Sequence, residues 1–333
     1  MNDSSINKPP FFSIVMPVYN AASFIAEAIE SVFAQSFDDW ELVIVDDCST
    51  DGSYDIASGY LAKSHNVRLY RRERNSGSAF APRKQAVMAS RGSYVVSLDA
   101  DDTIEPGFLA KMQRRIEATG AYAVYCRLVR GGRSLPVEEF DISAVYRGRD
   151  LLQYTLGSWK IAPNGCIGRR FYVDMLTRCV CDGDDMNADE LLSRQLMVAA
   201  PKIAFSDAEY IYRVNPGSIS SRIDYGRFDI LKTDMNLKRL IYENYPEGSE
   251  ERALINVQLF NDTVGMISFA VRYRRQLEGN AGEIETLIER SRQSIDFQLT
   301  AGRVSRGKML LLRAGVRHLK LAMQVYGCIK GRK

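Results

Sequence analysis

The chain has 333 residues, of which 46% are hydrophobic and 26% are charged, and a chain of that size can bury at least one substantial core. Its 44 Lys and Arg residues nearly balance its 41 Asp and Glu residues, so the overall charge does not predict nucleic acid as a partner. The six cysteines have no C-x-x-C spacing, and neither a signal peptide nor a run of about 18 apolar residues is found, which together predict a cytoplasmic protein with reduced thiols.

The first hundred residues alternate between strand and helix patterns. The apolar, β-branched runs FSIVMPVY, WELVIVDD, VRLYRR and SYVVSLDADD are typical of buried strands. Between them, AASFIAEAIESVFAQ, SYDIASGYLAKS and APRKQAVMASRG have helical spacing. This alternation predicts an α/β fold with a doubly wound, mostly parallel sheet, whose ligands gather at the carboxyl ends of the strands.

Acidic clusters follow two of these predicted strands. Asp46 and Asp47 end one of them, and Asp99, Asp101 and Asp102 end another. The simpler interpretation is that these residues form turns and cap helices. Two clusters at strand ends instead favour a bound cation, because repulsion between converging carboxylates is costly unless a cation neutralises it. Mg²⁺ or Mn²⁺ held by carboxylate oxygens and by substrate phosphate oxygens fits this chemistry.

Five segments together resemble the family 2 glycosyltransferases of the GT-A fold. They are SIVMPVYN, ELVIVDDCSTDGS, NSGSAFAPRKQAVMASRGSYVVSLDADD, NADELL and YRVNPGSIS, which follow one another in the order found in that family. The resemblance implies inversion at the anomeric carbon, a nucleotide-sugar donor, usually a UDP-sugar, and Mn²⁺ or Mg²⁺ bound at the D-x-D of Asp99 and Asp101. It is strongest to bacterial enzymes of capsule, lipopolysaccharide or exopolysaccharide synthesis, which implies a glycan or lipid-linked glycan as acceptor.

The resemblance also implies roles for single residues in donor binding. Arg83 matches the arginine of the family's A-R-N segment, although Pro82 and Lys84 depart from that segment. Gly77 fits close approach to the donor and fits a plain turn equally well. The residues expected to contact the donor are Pro17, Val18, Tyr19, Asp46, Asp47, Asn75, Gly77, Arg83, Asp99, Ala100, Asp101, Arg213, Asn215, Ser218 and Ser220.

The family usually places its catalytic base in an acidic dipeptide at a helix start, and Asp189-Glu190 occupies that place here. Either carboxylate could be the base, since many relatives have Glu-Asp where this chain has Asp-Glu. The other member of the pair is explained by its favourable interaction with the helix dipole. The nearby acids are interpreted as a solvated loop and are the next candidates; they are Asp182, Asp184 and Asp185.

Two residues between these motifs are candidates for acceptor binding. Trp159 is an aromatic of the kind that stacks on sugar rings, although a Trp is as often part of a core. Asn164 begins a polar Asn-Gly turn.

The patterns also predict a domain organisation. Residues 1–225 form the predicted catalytic domain, with nucleotide-sugar binding in about 12–102 and the acceptor-binding and catalytic part in about 103–225. Residues 226–333 have only helical patterns and form a predicted helical extension.

The end of this extension is basic and amphipathic. No acid occurs from Gly302 onward, and a predicted apolar stripe faces a cationic one. This pattern predicts a helix that lies in the plane of the cytoplasmic face of the inner membrane. A core helix with a basic rim is the alternative. The apolar stripe consists of Leu312, Val316, Leu319, Met323 and Tyr326.

The motifs argue against three other classes of protein. A nucleotide-binding dehydrogenase needs a glycine-rich turn after its first strand, and MPVYNAAS has none. A sugar nucleotidyltransferase would show a glycine-rich and basic N-terminal loop. A scaffold that binds nucleotide sugar or glycan without transfer is the non-enzymatic alternative, and the complete acidic motifs argue against it.

Overall fold

The computed structural model describes residues 8–135, 140–157, 160–162, 164–178, 188–214 and 223–330. Several candidate residues lie outside these ranges, namely Trp159, Asp182, Asp184, Asp185, Asn215, Ser218 and Ser220. The described residues fall into two compact units. The first draws on residues 8–155, 160–178 and 195–214, and the second on residues 156–157, 188–194 and 223–330.

The described strands of the first unit form one ten-stranded sheet. They are β1 (Phe12–Val18), β2 (Trp40–Asp46), β3 (Val67–Arg71), β4 (Tyr94–Ser97), β5 (Thr103–Ile104), β6 (Ala123–Arg130), β7 (Arg133–Leu135), β8 (Val145–Tyr146), β9 (Gly165–Gly168) and β10 (Ile203–Tyr212). Their order across the sheet is β3-β2-β1-β4-β9-β6-β10-β5, with β7 beside β6 and β8 beside β10.

The sheet has two parallel parts joined by an antiparallel strand. β1 is parallel to both β2 and β4, β2 is parallel to β3, and β6 is parallel to β10. β9 runs antiparallel between β4 and β6. Every residue of β1 and β2 is buried, as their continuous apolar runs predict for strands covered on both faces. The predicted α/β fold with a doubly wound, mostly parallel sheet is therefore confirmed.

Helices cover this sheet, and the apolar residues of each recur at helical spacing. In α1, for example, Ile25, Ala28, Ile29 and Val32 are buried while the intervening residues face outward. These side chains belong to a core cluster that also contains residues of β1, β2 and β4. The helices are α1 (Ile25–Phe33), α2 (Ser53–Ser58), α3 (Phe80–Ala89), α4 (Phe108–Thr119), α5 (Gly148–Leu151) and α6 (Arg169–Arg178).

The second unit contains the first turns of α7 (Ala188–Ala199) and a set of C-terminal helices, which confirms the predicted helical C-terminal region. They are α8 (Asp229–Asn244), α9 (Glu250–Arg272), α10 (Ala281–Ser294), α11 (Arg306–Ala314) and α12 (Val316–Lys330). Their apolar faces share one core, with Leu231, Leu259, Phe260 and Ile288 almost fully buried.

One helix of the described chain, α9, is long and apolar enough to cross a membrane. It also contains buried polar side chains that hydrogen-bond to other helices of the unit, so this part of its surface faces protein. Gln258 donates to Asp234 of α8 at 2.7 Å, and Thr263 and Ser291 of α10 are hydrogen-bonded at 2.6 Å. We therefore describe α9 as the core helix of this unit.

The predicted apolar stripe of the tail packs inward. Leu312, Val316 and Leu319 are at most 7% exposed, and Met323 packs against the same core. The stripe is therefore not available to a membrane, and the prediction of a membrane-facing stripe is wrong. The alternative of a core helix is correct for this stripe, because packing its side chains against α9 and α10 removes them from water. The side chain of Tyr326 lies outside the described residues.

Candidate active site

The loops that follow β1 and β2 are bonded to each other. The Asn20 amide donates to Ser49 Oγ at 3.0 Å, and the Thr50 amide donates to Asn20 Oδ1 at 2.9 Å. Asn20 adopts the left-handed backbone conformation that Asn tolerates better than most residues, with φ at 49°. These bonds hold the carboxyl ends of two parallel strands side by side, next to the predicted donor residues Pro17, Val18 and Tyr19. The first two are buried, and Tyr19 is half-buried.

Asp46 is completely buried at the end of β2. Its Oδ2 accepts a hydrogen bond from the Ser49 amide at 3.1 Å and lies 3.5 Å from Arg71 Nε. The carboxylate thus organises the turn after β2. Its expected contact with the base or the ribose stays a prediction.

Asp47 joins the loop after β2 to the loop after β3. Its Oδ2 accepts from the amide and the hydroxyl of Ser76, at 2.9 and 2.8 Å, and from Asn75 Nδ2 at 3.1 Å. Its Oδ1 forms an ion pair with Arg72 at 2.8 Å. Gly77 follows with φ at +82°, a conformation that favours glycine, and its amide donates to Asn75 Oδ1. The left-handed backbone conformation and this bond therefore explain Gly77 as a turn residue.

The D-x-D segment follows β4. Asp99 Oδ1 lies 2.7 Å from Nη2 of Arg83, which α3 presents to this strand end. The Asp99 side chain is 43% exposed, whereas that of Arg83 is 11% exposed. Ala100 is buried, and Asp101 is half-buried. The structure therefore brings Arg83 and Asp99 together, and their expected contacts with the donor and the metal stay predictions.

Asp102 and Tyr210 lie beneath this segment. Asp102 is 1% exposed and accepts hydrogen bonds from the Tyr210 hydroxyl and from the Arg213 amide, both at 2.8 Å. The same Tyr210 oxygen accepts from the Asp99 amide at 3.1 Å. Burial raises the pKa of Asp102 to about 7; the Arg213 amide opposes the shift, and the charges of Asp99 and Asp101 add to it. Burial is therefore the main reason that Asp102 favours its protonated form more than an exposed aspartate does.

The residues present fit a divalent metal that takes oxygen ligands. Asp99 and Asp101 offer carboxylates that solvent can reach, at a strand end that also holds the buried Asp102. Within the described ranges, no group of three or more His, Cys, Asp or Glu side chains is arranged to hold a metal. A metal here would therefore depend on oxygens of a bound phosphate ligand, as Mg²⁺ commonly does.

Arg213 makes two contacts besides its amide bond to Asp102. Its guanidinium lies 2.6 Å from Glu27 of α1 and over the ring of Phe24, 5.3 Å from the ring centre. Its expected contact with the diphosphate stays a prediction. For Asn164, the structure records a main-chain role, since its carbonyl accepts from the Cys126 amide at 3.0 Å at the start of β9.

Asp189 and Glu190 begin α7, and their surroundings differ. Asp189 is exposed, and its Oδ1 accepts from the Glu190 amide at 2.9 Å. Glu190 Oε1 pairs with Nη2 of Arg194, one helical turn later, at 3.0 Å. Burial raises the pKa of Glu190, and the charge of Arg194 opposes that shift.

Sequence reasoning named Asp102 in the acidic cluster after β4, but it missed the residues that support the two acidic groups. Tyr210 and Arg194 lie in segments without a motif, and only the fold shows their contacts.

Comparison with known proteins agrees with this architecture. The model of glycosyl transferase family 2 matches residues 13–175. The succinoglycan biosynthesis protein ExoO of Rhizobium meliloti is 39% identical over 272 residues, which cover 76% of this chain and 76% of ExoO. TuaG of Bacillus subtilis, named as a teichuronic acid biosynthesis glycosyltransferase, is 35% identical over 135 residues, which cover 40% of this chain and 53% of TuaG.

The fold is also that of a solved crystal structure. Residues 1–349 of TarS from S. aureus, solved in complex with UDP-GlcNAc, superpose with a TM-score of 0.70 at 20% identity, covering 95% of this chain and 91% of that one. Because ExoO is similar over three quarters of both chains, and the family model covers the strands that carry Asp46, Asp47, Asp99 and Asp101, the chain belongs to glycosyltransferase family 2.

Proposed function

We propose that this chain is an inverting glycosyltransferase that moves a sugar from a UDP-sugar to a hydroxyl of a glycan or lipid-linked glycan. The observation that carries the proposal is the acidic strand end at Asp99 and Asp101 beside the cationic Arg83. It lies at the carboxyl edge of a mostly parallel sheet, where such folds bind their ligands.

The similar proteins support the class of substrate. ExoO is named for succinoglycan and TuaG for teichuronic acid, and TarS was solved with UDP-GlcNAc. We therefore assign the reaction to bacterial surface-polysaccharide synthesis, which includes capsule, lipopolysaccharide and exopolysaccharide.

Donor binding combines carboxylates and cations. Asp99 and Asp101 would hold Mn²⁺ or Mg²⁺ together with oxygens of the donor diphosphate. The metal, when bound, neutralises charge on the departing nucleoside diphosphate. Arg83 orients the diphosphate, because a guanidinium matches phosphate oxygens in geometry and charge. The remaining proposed donor contacts are Pro17, Val18, Tyr19, Asp46, Asp47, Asn75, Gly77, Ala100, Arg213, Asn215, Ser218 and Ser220, and Trp159 and Asn164 are the proposed acceptor contacts.

The chemical step is a single displacement. Asp189 or Glu190 accepts the proton of the acceptor hydroxyl while that oxygen attacks the anomeric carbon. The attack comes from the face opposite the departing nucleoside diphosphate, so the configuration inverts in one step.

The first test couples metal binding to donor binding. In wild-type protein, UDP with Mn²⁺ should raise the melting temperature, because a ligand that binds only the folded state stabilises it. Asp101→Ala should lose this Mn²⁺-dependent shift and lose sugar transfer. The control is Asp207→Ala, which alters a half-exposed aspartate elsewhere in the same unit and should leave both properties unchanged. Unaltered UDP affinity with Mn²⁺ in Asp101→Ala would contradict the assignment.

A nucleotide-sugar panel separates the alternatives. A glycosyltransferase releases UDP from one donor, slowly by hydrolysis without acceptor and faster with acceptor. A binding scaffold is stabilised by the donor but releases no UDP. A sugar nucleotidyltransferase instead makes nucleotide sugar from a sugar phosphate and UTP.

We also propose peripheral attachment to the cytoplasmic face of the inner membrane, through a different face from the buried stripe. Leu310 of α11 is 56% exposed and lies between Arg306 and Arg313 at helical spacing. Leu321 of α12 is 62% exposed, one turn after Arg317. Exposed leucines among arginines suit a surface that contacts both acyl chains and anionic headgroups.

A further inference from the structure

The first turn of α7 is tied to α8 and α9 of the same unit by a cluster of buried charges. We call the four charged residues involved, Glu190, Arg194, Asp234 and Asp262, the α7 charge cluster. Arg194 is only 1% exposed and Asp234 is fully buried, while Glu190 and Asp262 are partly buried. Such a cluster is costly to bury, so each member must be matched by a partner.

Arg194 binds Glu190 through two groups. Its Nη2 lies 3.0 Å from Glu190 Oε1, and its Nη1 donates to the Glu190 carbonyl at 3.2 Å. Burial lowers the pKa of Arg194, and the charges of Glu190 and Asp234 oppose that shift. The side chain and the backbone of Glu190 are therefore held by the same guanidinium.

Asp234 of α8 and Asp262 of α9 form a carboxyl pair in this cluster. Burial, and after it the charge of Asp262, raise the pKa of Asp234 well above its usual range, and burial also raises the pKa of Asp262. The pair therefore resists carrying two negative charges. Gln258 completes the arrangement: its Nε2 donates to Asp234 Oδ1 at 2.7 Å, and its Oε1 accepts from the Gly157 amide at 2.9 Å.

Asp189 has a different environment from its neighbour. It is exposed, although it directly precedes a residue that is anchored through both side chain and backbone. A helix turn fixed at Glu190 fixes the backbone at Asp189 as well, and the Asp189 carboxylate is held by the Glu190 amide, which donates to its Oδ1 at 2.9 Å.

We infer that Arg194 is a positioning residue: it anchors Glu190 to α8 and α9 so that Asp189 is presented as the proton acceptor of the transfer reaction. This inference rests on the proposed function and assigns different roles to the two acids. Glu190 is the anchor, and Asp189 is the catalytic residue. The carboxyl groups of Asp234 on α8 and Asp262 on α9 interact electrostatically with the Arg194 cation.

The test compares turnover with binding and stability in four variants, each assayed well below its melting temperature. Asp189→Asn should lower kcat by about 100- to 10,000-fold with unchanged UDP affinity and melting temperature. Glu190→Gln, which can still accept from Arg194, should keep kcat within about tenfold. Arg194→Lys keeps the positive charge but loses the planar guanidinium, whose two terminal nitrogens contact Glu190. It should lower kcat by about 10- to 100-fold at unchanged UDP affinity.

The control variant is Arg292→Lys, which alters an ion pair of similar kind with Glu289 on α10 of the same unit. Its kcat should stay at the wild-type value. If Arg194→Lys does not fold, the neutral double variant Glu190→Gln with Arg194→Met replaces it, because it leaves no unpaired charge at these two positions. The expected result is then the same loss of kcat at unchanged UDP affinity.

Two results would overturn the inference. The first is a lower melting temperature with wild-type kcat, either in Arg194→Lys or in the folded double variant. This result would make Arg194 purely structural. The other is a Glu190→Gln protein that loses more activity than Asp189→Asn. Failure of the proposed function looks different, since wild-type protein would then transfer no sugar from any donor in the panel.

Discussion

At the scale of single residues, Tyr210 connects the two parts of the acidic strand end. Its hydroxyl donates to Asp102 and accepts from the amide of Asp99, so one oxygen holds a buried carboxylate and the start of the D-x-D. A buried carboxylate that loses a donor costs more than the same loss at the surface.

We expect Tyr210→Phe to lower the free energy of unfolding by about 1–3 kcal/mol, because Asp102 loses one of its two donors. It should also weaken UDP binding in the presence of Mn²⁺, since the Asp99 amide loses its acceptor. Denaturant unfolding and titration calorimetry measure the two effects. Tyr212→Phe, on the same strand, is the control; equal behaviour of both variants would show that the Tyr210 hydroxyl has no special role.

At the scale of elements, α7, α8 and α9 meet around a carboxyl pair that prefers to hold a proton. The groups that face Asp234 are Asp262 and Gln258 of α9 and the charges of Glu190 and Arg194 of α7. The folded-state pKa of Asp234 lies well above its ordinary 3.8. Between those two pKa values the folded protein holds a proton that the unfolded chain has released, so stability falls as pH rises through this window.

Asp234→Asn should remove this pH dependence. An amide can donate to Asp262 and accept from Gln258 without titrating, so the variant should gain stability relative to wild type as pH rises from about 4 towards neutral. Melting temperatures across that range, with Asp207→Ala as the surface control, measure the difference. A constant difference between Asp234→Asn and wild type over the whole range would contradict a raised pKa of Asp234 in the folded protein.

At the scale of the whole molecule, the basic C-terminal helices have both a structural and a proposed peripheral role. Leu312, Val316 and Leu319 belong to the core of the second unit, so deleting α11 and α12 would expose that core. Substitutions on the exposed face test membrane attachment without this complication.

The double variant Leu310→Ser with Leu321→Ser should bind vesicles of anionic phospholipid more weakly than wild type, while UDP affinity and melting temperature stay unchanged. Raised salt should weaken wild-type binding, because each Lys or Arg near an anionic surface contributes about 1 kcal/mol and is screened by ions. Vesicle co-sedimentation measures both effects. Leu61→Ser, at an exposed leucine of the first unit, is the control, and equal binding by all three proteins would exclude this face.

The sequence by itself determined the class of fold, the alternation of strands and helices over the first hundred residues, the helical C-terminal region, the family and its acidic motifs. These features are local: periodicity within one element and residues adjacent in the chain are enough to predict them. The same locality explains why Asp99 and Asp101 could be found as a pair, since both lie on one strand end.

Only the tertiary structure decided which partners each side chain meets. The antiparallel entry of β9 between β4 and β6, the bond from Tyr210 to Asp102 and the electrostatic interaction of Arg194 with Asp234 all join residues far apart in sequence. The tail stripe was ambiguous for the same reason, because an apolar helix face has the same spacing whether it packs on other helices or on lipid. Its burial against α9 and α10 depends on surfaces that the tail sequence does not contain.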